Sequence, residues 1–125
     1  MSINEYVVKL AEVLAQSEEY KAFVAAKENL KKNKANEEML DSFRKRQFEL
    51  QMAELAGYEV NEEERDQLEK EYQLLSLNPE INEYLNAEYR FSLIMSDIQG
   101  AITGAVPEWF DFTPTIPGQG APCLQ

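Results

Sequence analysis

The sequence predicts an all-α fold, an antiparallel helical bundle of about five helices with a long C-terminal helix and a flexible Pro/Gly-rich tail. Apolar residues recur at spacings of three and four from residue 3 to residue 105. The first 105 residues contain one proline, whereas the last 20 contain four. Because proline lacks the N–H that a helix interior needs, we predict a bundle domain over residues 1–106 and a tail over 107–125.

Two helices are predicted at the N-terminal end. Ser2 and Glu5 form a capping box, which satisfies free backbone N–H groups at a helix start. The apolar face that follows consists of Ile3, Tyr6, Val7, Leu10, Val13 and Leu14. Ser17 is the predicted cap of a second helix. Its apolar face consists of Tyr20, Phe23, Val24, Ala26 and Leu30.

A third and a fourth helix are predicted in the middle of the chain. We expect Asn36 to cap the third, with acids in its first turn, and Gly57 to end it in a left-handed conformation. Asn61 is the expected cap of the fourth, which presents Leu68, Tyr72 and Leu75. The third helix is apolar on more than one side, which favours burial on several sides. Those residues are Met39, Leu40, Phe43, Phe48, Leu50, Met52 and Leu55.

The fifth helix is predicted to run from Pro79, with Asn78 as its cap, to Ala105. Its length is ~40 Å, whereas a compact chain of this size has a radius of gyration of only ~14 Å. We therefore predict a homodimer or higher homo-oligomer; the alternative is a monomeric bundle. The candidate partner or oligomer contacts on this helix are Tyr84, Phe91, Met95, Ile98 and Ile102.

The tail carries three aromatic residues, Trp109, Phe110 and Phe112, which complete the set of candidate contacts. Aromatic side chains of this size favour burial. Two interpretations stay open: the aromatic residues fold back on the bundle, or they dock on a partner protein as a peptide anchor. Cys123 is expected to be an exposed thiol.

Charge is unevenly distributed along the chain. The net charge is −11, yet residues 27–46 hold seven bases and four acids. This segment forms either a docking surface for an acidic partner or a set of intramolecular pairs. Direct nucleic acid binding is not expected, because the body of the protein is acidic and only one aromatic residue, Phe43, lies among these bases. The candidate basic patch is Lys27, Lys31, Lys32, Lys34, Arg44, Lys45 and Arg46.

Catalytic motifs are not apparent in the sequence. It contains no histidine, and neither a G-x-x-x-x-G-K-[ST] nor a G-x-G-x-x-G loop. We therefore predict a non-enzymatic protein without a cofactor or metal that acts through protein contacts. The alternative is a small-ligand or metal-binding helical bundle with a sensing role, which the carboxylates, tyrosines and Cys123 support. Neither a signal peptide nor an apolar run of ~18 residues is apparent, so we expect a cytoplasmic protein without a membrane span.

The order of these features resembles the YlbF/YmcA family of small bacterial helical proteins. Phe43 with Gln47 on the third helix belongs to the pattern. The resemblance covers roughly residues 3–105. The other segments that carry it are Ser17-Glu-Glu-Tyr20, Leu77-Asn78-Pro79-Glu80-Ile81 and Tyr84-Leu-Asn-Ala-Glu88.

The resemblance implies a cytoplasmic helical bundle, commonly dimeric, that acts as a regulatory adaptor. Some members of this family join a complex that promotes transcript processing by a membrane-tethered endoribonuclease, and thereby affect competence, sporulation and biofilm formation. Some also carry clustered cysteines near the C-terminus that are implicated in iron–sulfur binding. This sequence departs from that pattern because Cys123 is its only cysteine, and one thiolate does not hold a cluster that needs four ligands.

Overall fold

The computed structural model describes residues 1–111, and all regular secondary structure in that range is helical. This confirms the predicted all-α class. Phe112 and Cys123 lie outside the described residues. The helices are α1 (Ile3–Gln16), α2 (Glu18–Lys32), α3 (Lys34–Leu55), α4 (Glu62–Leu77), α5 (Pro79–Ala105) and α6 (Pro107–Phe110).

Short polar side chains begin most of these helices, as the sequence predicts. The Ser2 hydroxyl accepts a hydrogen bond from the Glu5 backbone N–H, and the capping box is complete. Ser17 caps α2 and Asn61 caps α4 in the same way. Gly57 follows α3 with a φ of 91°, the left-handed conformation that glycine adopts without steric cost.

The predicted cap of α3 is wrong. Asn33, not Asn36, caps this helix, and its side chain accepts a hydrogen bond from the Asn36 backbone N–H. Asn36 lies inside the first turn and is buried. Its amide donates to Glu80 at 3.4 Å and accepts from Asn78 at 2.9 Å. Asn36 thus serves the start of α5, because Asn78 also accepts from the backbone N–H groups of Glu80 and Ile81.

The core lies within a compact unit formed by Met1–Phe91. Its centre is Ile81, which has no exposed surface. The Phe23 and Tyr84 rings pack at 5.7 Å and the Tyr20 and Phe91 rings at 5.4 Å, so α2 runs antiparallel to the first half of α5. The buried apolar residues are Ala26, Leu30, Leu40, Phe43, Leu75, Ile81, Tyr84 and Ala87.

A second unit begins at Ser92, within α5. The predicted boundary between bundle and tail at residue 106 stays a prediction; α5 ends at Ala105. None of the described residues from Ser92 onward is buried. Pro107–Phe110, at the start of the predicted tail, forms the short helix α6. None of the helices in residues 1–111 combines the length and apolarity that a membrane span needs.

Candidate protein-interaction surfaces

Three side chains form a polar cluster between α3 and α5. Arg44 Nη1 donates to Glu88 Oε2 at 3.0 Å, and Arg44 Nη2 pairs with Glu88 Oε1. The Tyr84 hydroxyl donates to the same carboxylate at 3.1 Å. The Arg44 guanidinium also lies 5.7 Å from the centre of the Tyr84 ring. A bidentate arginine with a stacked ring is a rigid arrangement, so the cluster fixes α3 against α5.

The electrostatics of this cluster favour its charged pair. Partial burial acts to raise the pKa of Glu88, but hydrogen bonds and charge from Arg44 outweigh it and hold that pKa below its ordinary value. The hydrogen bond with Glu88 raises the pKa of Arg44. Burial, followed by the Glu88 charge, raises the pKa of Tyr84. The cluster therefore holds one cation, one anion and a neutral phenol near neutral pH.

Part of the candidate basic patch makes contacts within the fold. Arg44 pairs with Glu88, and Arg46 pairs with Glu71 on α4. The Lys27 ammonium lies 5.9 Å from the centre of the Phe23 ring. Two of the seven bases thus form intramolecular ion pairs. The bases whose residues are largely exposed at the end of α2 and along α3 are Lys31, Lys32, Lys34 and Lys45.

Two clefts lie between the antiparallel helices α3 and α4. The larger has a volume of about 310 Å³, and the smaller, of about 140 Å³, has an almost entirely apolar lining. Arg46 and Glu71 line both clefts, and they meet as an ion pair without hydrogen-bond geometry. Both clefts are open to solvent. We call them together the α3–α4 groove. The apolar residues that line it are Met39, Phe43, Leu50, Ala53, Val60, Leu68, Leu74 and Leu75.

The face of α1 is a further apolar surface. Ile3 is 82% exposed, and no residue of α1 is buried. The helix approaches α2, which follows it along the chain. We call the surface defined by these five residues the α1 stripe: Ile3, Tyr6, Val7, Leu10 and Val13.

The predicted contact residues that the structure describes differ in burial. Tyr84 is buried in the core of the first unit, and the half-buried Phe91 packs against the Phe23 ring. Met95 and Ile102 are exposed and Ile98 is half-buried. On α6, Trp109 is 73% exposed and Phe110 is half-buried. Phe112 is outside the described residues, so the role of the aromatic tail stays a prediction.

Sequence reasoning missed the residues that pair with the arginines. The four-residue spacing of Tyr84 and Glu88 places them on one helix face, which is a signal that sequence could have offered. No local signal joins Arg44 to Glu88 or Arg46 to Glu71, because these partners are far apart along the chain. Among residues 1–111, no group of three or more ligand-type side chains is placed to hold a metal ion.

Comparison with known proteins identifies the family. Residues 3–107 match the family model described as control of competence regulator ComK, YlbF/YmcA. The chain belongs to the YlbF/YmcA family. It is 40% identical to a UPF0342 protein of Desulfitobacterium hafniense, over 85% of this chain and 86% of that protein. A UPF0342 protein of Caldicellulosiruptor bescii is 38% identical, over 84% of this chain and 88% of that one.

A solved structure shares the fold of this YlbF/YmcA protein. It is a protein of unknown function (DUF964) from Bacillus stearothermophilus, and it matches with a TM-score of 0.73 over 89% of this chain and 97% of that chain. The two sequences are 17% identical, so this likeness carries the fold alone. The family is linked by its description to competence regulation.

Proposed function

We propose that this YlbF/YmcA protein is a non-catalytic cytoplasmic adaptor that associates with itself and with other proteins. The observation that carries the proposal is the balance of apolar surface. In the part of the chain that the structure describes, eight apolar residues are buried, whereas 22 large apolar residues are exposed. Several of the exposed residues form one contiguous face, the α1 stripe, and contiguous exposed apolar surface is typical of proteins that bind other proteins. As in similar family members, this adaptor would assist RNA processing and thereby act in the regulation of competence, sporulation and biofilm formation.

Direct RNA binding is not part of the proposal. The net charge of −11 opposes association with phosphate backbones. Two arginines of the only base-rich segment are also engaged by carboxylates within the fold. The protein would act on RNA through a partner rather than by contacting it.

Affinity capture from the native host tests the adaptor role. The baits are the full-length protein and a variant with Trp109, Phe110 and Phe112 changed to alanine, with Tyr58→Ala as control, because Tyr58 is an exposed aromatic residue of the first unit. We expect specific partners with the full-length bait and the Tyr58→Ala control, and fewer with the triple variant. Transcript ends mapped in a strain lacking the protein would test the link to RNA processing. Absence of any partner with every bait, together with unchanged transcript ends, would refute the proposal.

The larger cleft favours a second candidate function, a ligand-binding bundle with a sensing role. Its volume of about 310 Å³ is at the lower end of the range for small-molecule sites, and it mixes apolar residues with Arg46 and several carboxylates. Native mass spectrometry of protein purified without oxygen tests this candidate. A stoichiometric bound compound or metal would support it, and a mass equal to that of the chain alone would argue against it.

A further inference from the structure

The α1 stripe and the α3–α4 groove are both apolar and both unfilled in the single chain. The stripe residues are between 40% and 82% exposed. Met39 and Leu74, which line the smaller cleft of the groove, are also largely exposed. An amphipathic helix in an apolar groove is a recurrent mode of protein recognition. The stripe is thus the helix side of such a contact, and the groove is the side that receives it.

The dimensions of the two surfaces agree. The α1 helix has 14 residues, which gives a length of about 21 Å at 1.5 Å per residue. Along α3, the groove extends from Met39 to Ala53, which also corresponds to about 21 Å. A helix as long as α1 thus has the length needed to span both clefts.

We propose that the groove receives α1 from a second copy of this chain, in a reciprocal exchange about a two-fold axis. This inference deepens the self-association in the proposed function and rests on it. Within one chain, α1 approaches α2. In a two-fold symmetric dimer, α1 of each copy enters the groove of the other copy. Both surfaces of both copies are then covered.

The apolar area of the stripe is large enough for a specific contact between copies. Apolar side chains of this size each remove roughly 60–120 Å² from water, so the five stripe residues supply up to about 600 Å². A stable interface buries about 800 Å² of total surface on each partner, and somewhat more than half of that surface is apolar. In the reciprocal arrangement the stripe of each copy supplies apolar area on this scale, and the groove adds to it.

Charge argues against an anionic membrane as the occupant of the stripe. Helices that lie on anionic membranes carry several lysines or arginines on their polar face. The only base of α1 is Lys9, which stands between Glu5 and Glu12. A protein surface with an apolar floor and mixed charges, which is the character of the groove, suits this helix better.

Two pairs of matched variants test the contact by light scattering and sedimentation equilibrium. Val7 and Val8 are 58% and 57% exposed, but only Val7 belongs to the stripe. Leu74 and Leu77 are 67% and 78% exposed, and only Leu74 lines the groove. We expect Val7→Glu and Leu74→Glu each to raise the dimer dissociation constant roughly 100-fold, because a charge enters an apolar contact. We expect Val8→Glu and Leu77→Glu to leave it unchanged, and circular dichroism would verify that all four remain folded.

A mixing experiment is specific to the reciprocal geometry. A Val7→Glu copy has an intact groove and a Leu74→Glu copy has an intact α1, so one of the two contacts survives in their heterodimer. We expect the mixture to form dimers at concentrations where each variant alone is monomeric. For a direct readout, Val7→Cys and Leu74→Cys copies in a Cys123→Ser background are mixed with a short bismaleimide. A cross-link between the two copies is expected, and a Val8→Cys copy should give none.

The outcomes separate this inference from the proposed self-association. If the wild-type chain is a monomer at tens of micromolar, both fail. If it is a dimer that Val7→Glu leaves intact, or if Val7→Cys copies cross-link only to each other, the inference fails and self-association stands. The stripe and the groove would then serve another protein, a membrane or a small ligand.

Discussion

The two halves of α5 differ in burial although they form one continuous helix. The first half, from Pro79 to Phe91, buries Ile81, Tyr84 and Ala87 at three-residue spacing. The second half, from Ser92 to Ala105, has apolar residues at similar spacing, but none of them is buried. The difference shows that helical periodicity specifies which side of a helix is apolar, whereas the neighbouring elements decide whether that side is covered.

The first half is also held by polar contacts to α3. Asn36 and Asn78 hydrogen-bond at its start, and Arg44 pairs with Glu88 at its other end. Asn36 also donates to Glu80, and the pairs Asn36–Glu80 and Arg44–Glu88 both join the parallel helices α3 and α5 at an offset of 44 residues. Apolar and polar contacts thus fix the same segment. The second half has apolar residues that a partner would bury, in agreement with the proposed self-association.

The largest effect is expected at Ile81, and Ile102 on the same helix is its control. Ile81 is fully buried and Ile102 is 51% exposed. Ile81→Ala leaves a cavity in the core and should lower the free energy of unfolding by about 2–5 kcal/mol. Ile102→Ala should change it by less than about 0.5 kcal/mol in the monomer. Urea denaturation followed by circular dichroism at low protein concentration measures both values.

The same pair tests whether a partner covers the second half of α5. Repeating the denaturation at high protein concentration keeps an oligomer assembled. If the Ile102→Ala oligomer is then less stable than the wild-type oligomer, the Ile102 side chain is buried against another copy. Equal effects of the two substitutions at low concentration would contradict the burial difference described above.

The local features of the fold were predictable from sequence, whereas the partners across the fold were not. Ser2, Ser17, Asn61 and Gly57 act on residues within one helical turn, so the sequence around each contains the information. Asn36 was misassigned because Asn33 offers the same capping chemistry three residues earlier. The choice between them depends on Asn78 and Glu80, which only folding brings near. Burial of Ile81 but not Ile102 depends likewise on packing between distant helices.

A smaller effect is expected from the ion pair that holds the first half of α5. Glu88→Gln removes the charge that pairs with Arg44. Because both side chains are more than one-third exposed, solvent screens the pair, and we expect a loss of only about 1 kcal/mol in the free energy of unfolding. The control is Asp97→Asn in the second half, which should change it by less than about 0.5 kcal/mol. Urea denaturation at pH 7 measures both.

The contribution of Glu88 to the free energy of unfolding should fall at acidic pH. The pKa of Glu88 is lowered in the folded chain from the ordinary value of 4.5, so the unfolded chain binds more protons as the pH falls. The stabilisation by Glu88 is therefore complete above about pH 4.5 and is lost as the pH falls through the folded pKa. The Glu88→Gln variant should lose less stability than the wild type over that interval. Parallel pH profiles for the two proteins would show that the pair contributes nothing.

The smallest effect concerns the glycines in the second half of α5. A Cβ atom at Gly100 or Gly104 would meet nothing within 4 Å. Because glycine has greater backbone entropy in the unfolded chain than alanine, Gly100→Ala should raise the free energy of unfolding by about 0.5–1 kcal/mol. Gly57→Ala is the control of opposite sign, since a φ of 91° strains alanine. Thermal denaturation at low and high protein concentration measures both.

If Gly100→Ala stabilises the dilute protein but weakens the oligomer, another backbone approaches Gly100 closely, and the second half of α5 is an interface between copies. If it stabilises the protein equally at both concentrations, the interface lies elsewhere, and the exposed half of α5 stays open in the oligomer.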